Sequence, residues 1–394
     1  MKYLPLFSFC LVSSLYSISV DTIVLNTLNN NNSIKSINEK IISSQQDILL
    51  ANKWSNPIFS FGINDITLSD PLTRDKEAMQ AQYIGFSQTI TSNSKLNLKN
   101  KIAIQDKNII EENLYDRKLI LKSKIYELSF NIVFLEKQVK LLNKKLNYIN
   151  KIEKLLNNSY SFNNINPNSI LSLNIQKNDL EVLINNLNTT LSNLYLNLEN
   201  ISFTKIDNIE NIKTNFNLNI NLDNHPILQK LNITKEKYLN ISSLEKENKI
   251  GDPKLNLTYF NRDNKFDDYI NLSINIPISL YEIENIKSEK NRVLSLKTNY
   301  DLQDKKREME TNIRILKNNM NSSYTNYKLL EQKTLPILSS LEENLKNYYS
   351  LKNINIEEII KTINTTIIYK IKLLQEENKF NTYYSQLLYY QGHL

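Results

Sequence analysis

The chain has 394 residues, of which 41% are hydrophobic and 23% are charged, and it contains only 4 glycines and 8 prolines. This length supports a large core, and the shortage of turn-forming residues favours long uninterrupted elements. The net charge of +7 comes from Lys and Glu residues that are interspersed along the chain, which excludes the basic block of a nucleic-acid-binding surface.

The N-terminus has the pattern of an export signal. Lys2 precedes an apolar run, and the small residues Ser17 and Ser19 follow it, so residues 1–19 are predicted to be a removable signal peptide. An apolar run of roughly 12 residues is too short for a transmembrane helix, which needs about 20. Cys10 lies inside this run without the small preceding residue that lipoprotein processing requires. The predicted mature chain therefore has no cysteine for a disulfide, thiol catalysis or metal binding.

The first half of the chain predicts two strands, at about 57–66 and 83–91, and then a helix at about 95–157. Apolar residues in this helix alternate in steps of three and four: Ile125, Leu128, Ile132, Leu135, Val139, Leu142, Leu146 and Ile149. Such spacing keeps one apolar seam facing a partner helix, as in coiled coils. At 1.5 Å per residue this helix would be about 90 Å long. A return helix at 167–200 begins at Pro167, which suits a first helical turn.

The second half predicts the same order of elements. Strands at about 254–261 and 269–279 form a hairpin, followed by a long helix at 284–348 and a return helix at 356–390. Pro336 is the only breaker inside the long helix. In the second strand the apolar residues Ile270, Leu272, Ile274, Ile276 and Ile278 alternate with the polar residues Asn271, Ser273 and Asn275. This two-residue period is typical of a strand with one apolar and one polar face.

The two halves also match each other in sequence. The residues Tyr160, Ser161, Asn164, Ile165, Asn166 and Ile170 recur 189 positions later as Tyr349, Ser350, Asn353, Ile354, Asn355 and Ile359. We therefore expect two structural repeats, at 20–210 and 211–394, each with a tight turn, at about 158–166 and 347–355. The predicted fold class is mainly α with a small β part, in which a helix–β-hairpin–long helix–helix repeat is duplicated.

Several stretches occur in a specific order and spacing: His225-Pro226-Ile227-Leu228, Asp252-Pro253-Lys254-Leu255, Ser273 to Ile278, Thr334-Leu335-Pro336, Tyr349-Ser350 and Ile359-Ile360. Together they resemble the TolC-like outer-membrane efflux proteins over nearly the whole predicted mature chain. The resemblance implies a trimeric 12-stranded β-barrel in the outer membrane, continued by a periplasmic α-helical tunnel. Four strands cannot close a barrel in lipid, so several chains have to contribute. The apolar face would meet lipid, and Asn271, Ser273 and Asn275 would line the barrel lumen.

By the same resemblance, the chain is the outer-membrane channel subunit of a tripartite efflux system, a passive exit duct for small molecules or metal ions. The implied partners are two further copies in a homotrimer, outer-membrane lipid, a periplasmic adaptor (membrane fusion) protein and an inner-membrane pump of RND or ABC type. No cofactor, catalytic residue or nucleic acid is expected.

The resemblance also implies functional residues near the two turns. Glu358 and Lys361 align with two acidic positions that narrow the tunnel mouth in that family, so only Glu358 retains the acid. An ordinary solvated helix charge is the alternative interpretation of Glu358. The predicted adaptor-contact residues are Asn163, Asn164, Ile165, Lys352, Asn353 and Ile354.

More than one interpretation is open for the transported substrate and for the class of protein. The stretches Asn56-Pro57-Ile58, Tyr83 to Gln88 and Lys95-Leu96 resemble the heavy-metal efflux branch of the family, which suggests metal ions as a substrate. An exported coiled-coil structural or adhesion protein is the main alternative, since heptads alone allow it. An enzyme is not indicated, because the two histidines, His225 and His393, are far apart in sequence and no Gly-rich phosphate loop occurs.

Overall fold

The computed structural model describes residues 17–71, 73–160, 167–210, 212, 214, 218–348 and 356–392. The helices are α1 Val20–Asn30, α2 Asn32–Ala51, α3 Asn93–Tyr160, α4 Pro167–Ser202, α5 Pro226–Glu247, α6 Ile283–Leu329, α7 Leu335–Tyr348 and α8 Ile356–Tyr389. The strands are β1 Ile58–Asn64, β2 Ala81–Thr89, β3 Lys254–Asn261 and β4 Tyr269–Asn275. A 3₁₀ turn at Leu222–Asn224 precedes α5, and a π turn at Leu330–Thr334 joins α6 to α7. The predicted fold class, mainly α with a small β part, is confirmed.

The chain divides into two compact units, each built from non-contiguous segments. Unit 1 contains the described residues of Met1–Lys35, Asp116–His225 and Arg307–Leu394. Unit 2 contains those of Ser36–Tyr115 and Pro226–Lys306. Each unit thus takes segments from both predicted repeats. The two compact units therefore do not coincide with the two repeats that the sequence predicts.

Unit 1 buries its apolar residues in three clusters between helices. The first joins α3, α4 and α8 through Leu142, Ile149, Ile152, Leu156, Leu173, Leu180, Ile184, Ile359, Ile363 and Ile367. The second joins α1, α3 and α4 with the segment after α4 through Val20, Ile23, Val24, Ile125, Leu128, Ile132, Leu198, Ile206 and Ile209. The third joins α3, α6 and α8 through Phe130, Ile313, Met320, Phe380, Tyr384, Leu387 and Leu388. The seam predicted on the first long helix is therefore covered by different helices at different levels.

The second long helix differs from the prediction of one helix at 284–348. Pro336 lacks an N–H, and its ring crowds the carbonyl group one turn earlier. The chain accommodates it with the π turn Leu330–Thr334, in which the Leu335 N–H donates to the carbonyl oxygen of Leu330. The break occurs a few residues before the proline, so the proline restricts the turn that precedes it.

Two residues assigned to the predicted signal peptide 1–19 lie immediately before the first helix. The Ile18 N–H donates to the Asn208 carbonyl oxygen at 3.1 Å, and the Glu210 N–H donates to the Ile18 carbonyl oxygen at 3.1 Å. The Ser19 side chain caps α1 by accepting from the Thr22 N–H. Residues 18 and 19 are thus integrated into unit 1.

Unit 2 contains one antiparallel sheet with the strand order β1-β2-β3-β4. The two hairpins are consecutive in sequence order, and β2 pairs with β3 to join them. Strand β1 ends at Asn64, before Asp65 takes a positive φ of 53°. Strand β4 ends at Asn275, short of the predicted 279, because Pro277 has no N–H to donate to a ladder.

The helices of unit 2 meet through polar and small side chains. Ser242 and Ser288 are buried, and their hydroxyl oxygens lie 2.8 Å apart. Lys237 Nζ donates to Asp106 Oδ1 at 2.5 Å in the same unit. In the described part of the chain, no helix combines the length and apolarity that crossing a membrane demands.

Candidate functional site

One face of the sheet in unit 2 is apolar. The register aligns Phe61 with Ile84, Ile84 with Tyr259 and Tyr259 with Ile270, so one row crosses all four strands. The neighbouring row consists of Phe59, Phe86, Leu257 and Leu272. Phe61 is 80% exposed and Leu272 is 65% exposed. Exposed apolar area of this kind is unfavourable in water, so this face requires lipid or another protein surface.

The opposite face is polar over most of its length. Asn271, Ser273 and Asn275, the residues predicted to line a lumen, are exposed together on this face of β4. Their partners on β3 are Thr258, Asn256 and Lys254. Asn256 Nδ2 donates to Ser273 Oγ at 3.3 Å. The sheet thus has one apolar face and one polar face.

Both edges of this sheet are open within the described residues. Strand β1 pairs only with β2, and strand β4 pairs only with β3. Each edge therefore presents a row of backbone N–H and C=O groups that lacks a partner strand. An apolar face next to open edges is suited to pairing with strands of further copies.

Aromatic rings form a row across the polar face at the loop ends of the hairpins. The ring centroids of Tyr83 and Phe260 are 5.7 Å apart, and those of Phe260 and Tyr269 are 4.6 Å apart with nearly parallel planes. The Tyr83 ring covers Gly62 on β1, where an added Cβ would come within 2.7 Å of it. The guanidinium carbon of Arg262 lies 5.2 Å from the Tyr269 ring centroid. We call Tyr83, Phe260 and Tyr269 the aromatic row.

Sequence reasoning did not identify the aromatic row. Phe260 occupies a position of β3 where the alternation otherwise places the polar residues Asn256 and Thr258. Its partner Tyr269 lies across the hairpin, so only the register Phe260↔Tyr269 brings the rings together. The one signal in the sequence was that Phe260, a large aromatic residue, occupies a position where the alternation predicts a polar side chain.

The two hairpin loops bind each other above this row. Arg74 Nη1 donates to Asn261 Oδ1 at 2.9 Å, and Lys265 Nζ donates to Asp75 Oδ2 at 3.0 Å. The hydrogen bond and charge of Lys265 lower the pKa of Asp75. Gln80 is buried and donates to the Asp65 carbonyl oxygen at 3.1 Å. These contacts give the loops a defined structure next to the aromatic row.

A buried ion pair lies at the opposite end of the sheet. Lys95 Nζ, whose side chain is 5% exposed, is 2.6 Å from Asp252 Oδ1 and donates to the Ile250 carbonyl oxygen at 2.6 Å. Thr91 Oγ1 donates to Asp252 Oδ2 at 2.8 Å. Burial alone would raise the pKa of Asp252, but the hydrogen bonds from Lys95 and Thr91 outweigh it, and the pKa is lowered. The pair ties the start of α3 to the start of β3 and borders a polar cleft of about 740 Å³.

Both units expose apolar residues at heptad spacing on their helices. In unit 1, Ile175, Val182 and Leu196 of α4 are all more than half exposed and lie seven or fourteen positions apart. In unit 2, Ile286 and Tyr300 of α6 are each 66% exposed, with Val293 midway between them at 50%. A seam with this period packs against another helix in coiled-coil geometry.

Of the functional residues predicted near the two turns, the structure describes Glu358 and Lys361. Glu358 and Lys361 lie in the first turns of α8, three positions apart, and both are exposed. The predicted adaptor-contact residues lie outside the described part of the chain: Asn163, Asn164, Ile165, Lys352, Asn353 and Ile354.

His225 is buried, ends the 3₁₀ turn before Pro226 and contacts the Tyr389 carbonyl oxygen through Nε2 at 3.2 Å. Over the ranges that the structure describes, no three His, Cys, Asp or Glu side chains form a group able to hold a metal ion.

Comparisons with solved structures find extensive similarity. The CmeC outer membrane channel of Campylobacter jejuni matches with a TM-score of 0.76 and 11% identity over 95% of this chain and 85% of that one. The outer membrane protein VceC of Vibrio cholerae matches with a TM-score of 0.75 and 11% identity over 95% and 96%. The MtrE outer membrane channel of Neisseria gonorrhoeae, in its open state, matches with a TM-score of 0.76 and 9% identity over 95% and 88%.

No protein-family model matches the sequence, and a search of the curated proteins finds no match. At the low identity of the structural matches, the likeness establishes the fold alone. That fold agrees with the one implied by the resemblance to TolC-like proteins.

Proposed function

Because this chain has the fold of outer membrane channels, we propose that it is the outer-membrane channel subunit of a tripartite efflux system. The observation that carries the proposal is the sheet of unit 2, whose apolar face is exposed and whose two edges have no partner strand among the described residues. Three copies would supply twelve strands, close the barrel and leave no edge. The apolar face would then contact outer-membrane lipid, and the face with Asn271, Ser273 and Asn275 would line the lumen.

The helices support the same assembly. The heptad seams on α4 and α6 expose apolar residues that a neighbouring copy would cover. A homotrimer held by these seams would form a helical tunnel in the periplasm. Its inner end would be formed by the two turns, with Glu358 and Lys361 close by, where a periplasmic adaptor and an inner-membrane pump of RND or ABC type would dock.

The mechanism is passive conduction. A water-filled lumen with polar side chains lets solutes pass, while the energy for transport comes from the pump. No side chain is assigned a catalytic role. A ring of three Glu358 carboxylates at the tunnel mouth would attract cations and, through mutual repulsion, disfavour closure; the nearby Lys361 side chains would reduce that charge.

Assembly is tested by expressing the full chain, extracting the outer-membrane fraction with detergent and measuring the mass of the complex by native mass spectrometry. We expect a trimer. The variant Val182→Glu, on the exposed seam of α4, should weaken the trimer, whereas Glu181→Gln, at the adjoining position outside the exposed apolar seam, should leave it intact. A monomer in the wild-type extract would contradict the proposal and favour a coiled-coil adhesion or structural protein.

The substrate class is tested by deleting the gene and measuring growth inhibition by copper, silver, zinc and cobalt ions and by a panel of dyes, detergents and antibiotics. Sensitivity confined to the metals would support the heavy-metal branch. Sensitivity to amphiphilic compounds would instead indicate a multidrug exit duct.

A further inference from the structure

We propose that the aromatic row of Tyr83, Phe260 and Tyr269 is a binding site for organic cations at the loop end of the channel. The inference rests on the proposed function, because these rings line a lumen only where the polar face of the sheet is the inner wall of a barrel. It adds a substrate class to that function and assigns the residues that contact it.

The position of the rings is the first argument. Aromatic residues of barrel proteins that anchor the protein at the membrane interface lie on the lipid-facing side. The aromatic row lies on the opposite, polar face, in register with Gly62 and one residue away from the exposed apolar Tyr259. Membrane anchoring therefore does not account for it.

The size of the neighbouring side chains is the second argument. The next row on the polar face consists of Ser60, Gly85, Thr258 and Asn271, and the one after it of Ile58, Ser87, Asn256 and Ser273. Most of these side chains are small, so the rings project farther from the sheet than the side chains of the next two rows. Gly62 leaves room for the Tyr83 ring to lie across β1, which extends the aromatic surface over the full width of the sheet.

An arginine side chain of the protein itself already lies against one of these rings. The Arg262 guanidinium carbon lies 5.2 Å from the Tyr269 ring centroid and 5.5 Å from that of Phe266. Backbone carbonyl groups hold it there, since Arg262 Nε donates to the Asp267 oxygen at 2.6 Å and Nη1 donates to the Ala78 oxygen at 3.1 Å. Tyr269 of the row thus already contacts a planar organic cation, an interaction favoured by the negative face of an aromatic ring.

The charge of the surrounding loops is the fourth argument. Residues 65–80 and 262–268 together contain seven carboxylates and four cationic side chains. The excess of negative charge around the lumen attracts cations to the opening. Cations are therefore concentrated where aromatic faces can bind them.

The test uses the full-length trimer reconstituted in planar lipid bilayers, with single-channel current recorded in potassium chloride and tetraphenylphosphonium added as the probe. We expect tetraphenylphosphonium to block the wild-type channel. The double variant Phe260→Leu/Tyr269→Leu keeps an apolar side chain at both positions but removes both aromatic rings. The block should therefore weaken about fivefold. Arg262→Gln removes the resident cation and should strengthen block.

The controls separate the row from the fold. Leu257→Phe adds a ring on the opposite face of the same strand and should leave block unchanged, and Tyr269→Phe keeps the ring and should retain block. Equal block of wild type and double variant, with trimers intact, would overturn the inference while leaving the channel function standing. Absence of any current from wild-type trimers would overturn the proposed function itself.

Discussion

The two units of the molecule differ in how far they bury their apolar residues. Unit 1 places them in three clusters between helices, where Leu156 and Leu387 are fully buried. Unit 2 joins its helices through polar contacts such as Ser242 with Ser288, and it exposes the apolar face of its sheet. Unit 1 therefore derives its stability from its own core. Unit 2 leaves its apolar face to be covered by its surroundings, as the proposed barrel in lipid requires.

The largest expected effect concerns the core of unit 1. Leu387→Ala removes a fully buried side chain from the third cluster and should lower the free energy of unfolding by about 3 kcal/mol. Urea unfolding of the full chain, followed by circular dichroism, measures it. Ile368→Ala, on the same helix but 51% exposed, is the matched control and should change stability by less than about 1 kcal/mol. Similar losses for both variants would mean that burial does not distinguish the two sites.

The second prediction concerns the apolar face of unit 2. Leu272→Lys places a charge where lipid is expected and should disfavour insertion into vesicles by about 2 kcal/mol, while the helical circular dichroism signal remains. Ser273→Lys, the next residue on β4, points to the polar face and should insert normally. Insertion is measured by protection from protease. An equal defect in both variants would contradict the assignment of the two faces.

The smallest effect is expected at the ion pair between α3 and β3. Asp252→Asn leaves the buried Lys95 without its counter-charge and should lower stability by about 1.5 kcal/mol. A carboxylate with a lowered pKa stabilises the fold above its unfolded pKa near 4, and this contribution is lost as the pH falls through the folded value. The free energy of unfolding, measured from pH 7 to pH 3, should therefore fall more steeply in the wild type than in the variant. Asp267→Asn, in an exposed loop, should behave like wild type.

Periodicity predicted the long helices and the strands, but not the separate helices α1, α2 and α5. The three- and four-residue steps of the first long helix and the two-residue alternation of the second hairpin are local signals, and each corresponds to an element of the structure. The interruption at Leu330–Thr334 was not predicted in this form, because the effect of Pro336 on a preceding turn depends on how the backbone redistributes its hydrogen bonds.

The candidate site was less accessible from the sequence. The alternation of β4 identified Asn271, Ser273 and Asn275 as one face. The pair Lys95 and Asp252 is separated by 157 residues, and nothing local to either residue indicates the other. The aromatic row depends on strand register, which no single segment encodes. Contacts across long separations set these features, whereas local pattern sets the elements that carry them.

The non-contiguous construction of unit 1 has a consequence for how the chain reaches its native state. Ser123 Oγ donates to the Ser385 carbonyl oxygen, and Tyr389 donates its hydroxyl proton to Asp116 Oδ1, over separations of 262 and 273 residues. At roughly 5–20 residues per second, α3 is complete on the order of ten seconds before α8 is synthesised. The side of α3 that α8 covers remains open to other apolar surfaces during that time. Until α8 is available, this side of α3 needs protection from other apolar surfaces.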